Sequence, residues 1–149
     1  MPRLIAMFIP VLTAVFLLAG EAWSGNPEVQ VYKTPTCGCC SKWIEHLEAN
    51  GFSVESHDLP SLAALKRSNG VPRSLSSCHT AFVDGYVIEG HVSAQDIERL
   101  LEQRPTVAGL VVPGMPIGSP GMEGRNPQRY DVLTFTADGE TSVFSTHQP

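Results

Sequence analysis

The sequence predicts one α/β domain with a central mixed sheet and flanking helices, extended by a Gly/Pro/Met loop and a C-terminal hairpin. Three observations predict it. Short alternating stretches sit beside segments of helical periodicity, four cysteines include three within Cys37-Gly38-Cys39-Cys40, and 23 residues from Pro105 onward are too rich in proline and glycine for regular structure. With 149 residues and 42% hydrophobic content, the chain has enough apolar matter for one core and too little for two generous ones.

Taken in order, Arg3 precedes an apolar run, Leu4 to Ala19, followed by small residues around Gly20 to Ser24. That order of basic start, apolar segment and small-x-small site is the pattern of a signal peptide over residues 1–24, with a domain over 25–149. The 16-residue run falls short of the about 20 needed to span a bilayer, so no stable membrane anchor is expected. Removing Arg3 and Glu21 leaves nine basic against fourteen acidic residues, a mildly acidic chain that gives nucleic-acid binding no support.

Glu28 to Lys33 alternates as a strand does. After the cysteine turn, Cys40, Trp43, Ile44 and Leu47 recur at i, i+3, i+4 and i+7, so a helix from about Ser41 to Asn50 is expected, stopped by Gly51. Phe52 to Asp58 alternates again, and a strand, helix and strand in about 30 residues require parallel strands. Ser61 is placed to cap a short helix, Leu62 to Ser68. A serine-rich loop with Pro72 then delivers Cys78-His79 to a strand, Thr80 to Val83. Asp84-Gly85 turns that strand into an antiparallel partner, Tyr86 to Glu89. Ser93-Ala94-Gln95-Asp96 opens a third helix with Ala94, Ile97, Leu100 and Leu101 inward. From Pro105 to Pro127 no regular element is expected. A last hairpin, Tyr130 to Thr136 and Ser142 to Phe144, closes the chain. The order βαβα then ββα is a thioredoxin-like arrangement.

In that arrangement the cysteine turn lies at a helix start, where free N–H groups and the helix dipole favour thiolate. Cys78 and His79 face it across the sheet end. Cys37 and Cys40 have the C-x-x-C spacing of thiol–disulfide exchange, but Cys39 would compete for any such bond, whereas a soft metal would gain a ligand. Thiolate, thioether and imidazole are the donors Cu(I) prefers, and zinc would leave the two methionines of the Gly/Pro-rich loop, Met115 and Met122, unexplained. His91, after Gly90 at a strand end, is a further candidate. His46 and His57 read as solvated, His147 lies in a tail without signals, and Lys42, Arg67 and Arg99 read as surface charges. The residues alone leave three readings open: a copper protein, a thiol–disulfide oxidoreductase acting through Cys37 and Cys40, and an interaction module with two structural disulfides.

Four segments carry a resemblance: Thr36-Cys37-Gly38-Cys39-Cys40, Ser77-Cys78-His79-Thr80-Ala81, Gly85-Tyr86-Val87-Ile88-Glu89-Gly90-His91, and Gly114-Met115-Pro116-Ile117-Gly118-Ser119-Pro120-Gly121-Met122-Glu123. Together they resemble the CopG-like family of bacterial periplasmic copper-resistance proteins, over essentially the whole chain from Val29 to Phe144. The resemblance implies a periplasmic, thioredoxin-like protein that binds copper and acts as a copper oxidoreductase in Cu(I)/Cu(II) interconversion. Its implied ligands are Cys37, Cys39, Cys40, Cys78, Met115 and Met122, with His79 or His91 next, and its implied partners are other periplasmic copper-handling proteins. The methionine loop is expected to fold over the cysteine turn when copper binds, and to be mobile before that.

Overall fold

The computed structural model describes residues 27–149, so the expected signal peptide over residues 1–24 lies outside the described residues. Seven strands form one mixed sheet in the order β2-β1-β3-β4-β5-β6-β7. Strand β1 (Val29–Lys33) pairs in parallel with β2 (Val54–Asp58) through the crossover helix α1 (Gly38–Ala49), and antiparallel with β3 (Thr80–Val83). Asp84-Gly85 makes the expected hairpin from β3 to β4 (Tyr86–Glu89), and β6 (Tyr130–Phe135) with β7 (Thr141–His147) makes the C-terminal one. The elements βαβα then ββα follow in the expected order, with α2 at Ala63–Ser68 and α3 at Ala94–Gln103.

Each face of the sheet follows from strand alternation. Val29 and Val31 of β1, Ala81 of β3 and Ile88 of β4 join Trp43 and Leu47 of α1 and Ile97 and Leu100 of α3 in the main core, all with no exposed surface. On the opposite face, Val87, Val111 and Phe135 meet Val71, with Leu75 and Phe82 packed at their rim. Ser93 caps α3 as its sequence predicts, its Oγ accepting the Asp96 N–H at 3.1 Å.

The largest differences from expectation fall at three places. Helix α1 starts at Gly38 rather than Ser41, which makes Cys37 its N-cap and puts Cys39 and Cys40 in its first turn. A strand, β5 (Gly109–Val111), runs through the segment expected to be irregular, parallel to β4 and antiparallel to β6. Its three residues are all buried, so it has no alternation to read. Strand β7 continues past Phe144 to His147, whose ring stacks on Tyr130 at 4.8 Å and whose Nε2 lies 2.7 Å from Asp96 Oδ2. His147 is therefore a clasp between the last strand and the start of α3, not a loose tail.

Candidate metal centre

The thiols meet where α1 begins. Cys37 and Cys40 are joined by a disulfide, with Cys40 fully buried on the inner face of α1 and Cys37 partly exposed. Cys39 is a free thiol, and its sulfur lies 3.6 Å from Cys37 Sγ and 3.8 Å from Cys78 Sγ. Cys78 in turn lies 3.0 Å from His91 Nε2 and 3.4 Å from His79 Nδ1. Two groups of donor atoms thus overlap at Cys78: the four cysteines, and Cys78 with His79 and His91, each group spanning no more than 4.8 Å.

The two imidazoles are held differently. His91 donates from Nδ1 to Pro120 O at 2.8 Å, which fixes the tautomer with the lone pair on Nε2 facing Cys78. Burial holds its pKa below the usual value. His79 is completely buried, its ring 4.3 Å from that of Trp43 and 5.0 Å from that of His91. Its pKa is pushed well down, first by burial and then by the positive charges His91 and Lys66 would set beside it. Its Nε2 is buried and has no hydrogen-bond partner among the described residues. Both rings are therefore kept neutral, the form that can ligate a metal. Burial, followed by the neighbouring Cys39, pushes the Cys78 thiol up to about 12, so it keeps its proton at neutral pH until a cation displaces it.

Above the turn lies the methionine loop. Its residues are closed by their own hydrogen bonds: Ser119 N to Pro116 O at 3.1 Å, Met122 N to Ser119 O at 2.8 Å, Gly118 N to Met122 O at 2.9 Å and Gln128 N to Ile117 O at 2.8 Å. These turns give the loop a defined internal shape, and it lies against the start of α1, where a Cβ on Gly121 would come within 2.7 Å of Cys39 O. Met122 lines an open cavity of about 460 Å³ together with Gly38, Cys39, Lys42, Gly121 and Glu123. Met115 is half exposed and does not line it.

The structure thus brings together Cys37, Cys39, Cys40, Cys78, His79 and His91, places Met122 on the cavity beside Cys39, and leaves Met115 at the surface. The four cysteines expected as thiolate ligands are two thiols and one disulfide in this state. Three further side chains are held in ways the sequence did not signal. His46, read as solvated, accepts the Ala94 N–H at 3.1 Å, and burial lowers its pKa. His57 is half buried, stacked on Tyr32 and 2.8 Å from Gln30 Oε1. Glu89 of β4 has no exposed surface and carries the segment around Cys78; a charge at the end of an alternating strand gives no sign of burial.

Residues 75–122 match a family described as "Protein of unknown function, DUF411", a span that runs from the turn before Cys78 to Met122 and leaves the N-terminal cysteine turn outside. No curated protein matches the chain. Two solved structures are similar to it, "Copper resistance protein copG" in forms 1 and 2, at 45% and 44% sequence identity. Each comparison covers 83% of this chain and 99% of the other, with a TM-score of 0.78. Identity at that level over nearly the whole of the other chain places the protein: it belongs to the CopG family of copper resistance proteins.

Proposed function

We propose that the protein binds copper through Cys39, Cys78, His91 and Met122, with His79 adjoining and with Cys37 and Cys40 added when their disulfide is reduced, and that it serves copper resistance by interconverting Cu(I) and Cu(II), one electron per ion being exchanged with an external redox partner. The observation that carries this reading is the approach of Cys78 Sγ to His91 Nε2 at 3.0 Å and to Cys39 Sγ at 3.8 Å. The donor set fits copper. Thiolate and thioether sulfur suit Cu(I), neutral imidazole accepts both oxidation states, and a cavity beside Cys39 gives a path for the ion. Two thiols and two imidazoles also suit zinc, and Met122 is the donor that zinc would leave unused. The expected site of action is the periplasm. Among the described residues no helix is long and apolar enough to cross a membrane.

Anaerobic titration against a Cu(I) chelator tests the reading. Cys78→Ser is expected to lower Cu(I) affinity at least about tenfold, because Cys78 is the atom shared by both donor groups. Unchanged affinity in that variant, or preferential retention of zinc over Cu(I), would overturn it.

A second reading is favoured by one observation. The Cys37–Cys40 bond sits at a helix start with Cys40 buried and Cys37 reachable, the arrangement of a thiol–disulfide oxidoreductase. That reading expects reductase activity on a protein disulfide without metal and without dependence on Cys78. The copper reading expects neither.

A further inference from the structure

We infer that Glu89, held in place by Lys66, is a positioning residue that fixes the Cys78-His79 corner of the copper site; the inference rests on the reading that Cys78 and His91 ligate copper. Glu89 is the last residue of β4 and has no exposed surface. Its Oε1 accepts the Ser77 backbone N–H at 2.6 Å, and Oε2 accepts the Thr80 hydroxyl at 2.7 Å. Ser77 and Thr80 are the residues on either side of Cys78-His79, so one carboxylate clamps both ends of the two-residue segment that carries the sulfur and an imidazole.

Lys66 reaches this clamp from α2. Its Nζ pairs with Glu89 Oε1, and it also donates to Thr80 Oγ1 at 3.0 Å and to His79 O at 3.5 Å. Three donor protons thus serve the strand that begins with Thr80 and the carboxylate beside it. The segment has further ties. Gly90 N donates to His79 O at 3.1 Å and Ser77 Oγ donates to Gly114 O at 2.6 Å, the latter linking the clamp to the start of the methionine loop.

Strand pairing alone does not require this arrangement. Thr80 already faces Glu89 in the β3–β4 register, on the face where Val87, Val111 and Phe135 form an apolar cluster that leucine at 89 would extend. Replacing both members of a buried ion pair by apolar groups of similar size is often neutral, so the fold does not need the pair as such, but Glu89→Leu alone leaves the Lys66 charge unpaired and is expected to lower stability as well. What leucine cannot do is accept the Ser77 N–H, the bond that sets where the chain enters Cys78. Outer hydrogen bonds of this kind hold ligands in the geometry a metal needs, and losing one typically lowers metal affinity by 10–100-fold.

The test compares Glu89→Leu, Glu89→Gln and Cys78→Ser by Cu(I) affinity under chelator competition, near-ultraviolet Cu(I)–thiolate absorption, amide exchange at Ser77 and unfolding in denaturant. Glu89→Leu is expected to lower Cu(I) affinity about 10–100-fold with an altered thiolate absorption and faster Ser77 exchange. Glu89→Gln keeps an oxygen for the Ser77 N–H, and its loss is expected to stay below about tenfold. A Glu89→Leu protein that is less stable but binds Cu(I) with unchanged affinity and absorption would show a stabilising role alone and overturn the inference. Should Glu89→Leu fail to fold, Glu89→Asp, whose carboxylate stops one methylene short of the Ser77 N–H, decides in its place: Cu(I) affinity lowered further than in Glu89→Gln supports the inference, and affinity equal to that of Glu89→Gln overturns it. Cys78→Ser separates the two levels of the argument. If it binds Cu(I) normally, the ligand assignment itself has failed; if it weakens binding while Glu89→Leu does not, only the positioning role has.

Discussion

Reducing the Cys37–Cys40 disulfide is expected to raise the number of Cu(I) ions bound per chain from about one to more than one, because it doubles the thiols available at the turn. In the oxidised state Cys39 and Cys78 are the free thiols, their sulfurs 3.8 Å apart, with His91 and Met122 beside them. That set can satisfy one ion of low coordination number. Reduction adds Cys37 Sγ, already 3.6 Å from Cys39 Sγ, and Cys40 at the buried side of the turn. Four sulfurs within 4.8 Å of one another, with His91 and Met122 beside them, make six soft donors, more than one two- to four-coordinate Cu(I) uses and too close for each to serve a separate ion, so the sulfurs are suited to bridging. Anaerobic titration of oxidised and fully reduced protein, each with thiols counted beforehand, measures the difference. Equal stoichiometry in the two states would show that Cys37 and Cys40 take no part in copper binding and would move weight to the oxidoreductase reading.

Much of this site was legible in the sequence, and what was hidden was hidden for identifiable reasons. The helical spacing of Cys40, Trp43 and Leu47 located α1 and its buried face, and the strand before it placed the thiols at the sheet end. The hairpin at Asp84-Gly85 aligned β3 with β4, so Cys78 and His91, thirteen residues apart in the chain, were brought to the same edge. Strand β5 escaped because three buried residues between Pro105 and Pro113 show neither alternation nor length. Met115 and Met122 were indistinguishable because an irregular loop has no period to say which side faces inward; hydrogen bonds between Ser119, Met122 and Gly118 decide it. Whether Cys37 and Cys40 are ligands or a disulfide was not a matter of spacing at all, since C-x-x-C at a helix start permits both. Glu89 and Lys66 stayed invisible because each looks like the solvated charge of an amphipathic element, and only the tertiary pairing of β4 with α2 shows otherwise.

Substituting Gly121 by alanine is expected to lift the methionine loop from α1, to cost about 2–5 kcal/mol of stability and to weaken copper retention. Gly121 has a positive φ of 83°, where an L side chain is strained, and a Cβ there would lie 2.7 Å from Cys39 O and 2.9 Å from Trp43 N. Both atoms are backbone of α1, so no flexible side chain can swing aside. The loop must move instead, and Met122 beside it would leave the cavity at Cys39. Pro120, the residue before, holds His91 through its carbonyl, so the same displacement would release the imidazole from its fixed tautomer. Gly114→Ala is the control. Gly114 also has a positive φ, 71°, but a Cβ there meets nothing within 4 Å, so backbone strain of about 1–2 kcal/mol is all that should appear. Denaturant unfolding and Cu(I) competition on both variants measure the contrast. If Gly121→Ala binds copper as tightly as Gly114→Ala, the contact between the loop and the first turn of α1 is packing, and the metal centre is complete with the cysteines and histidines beneath it.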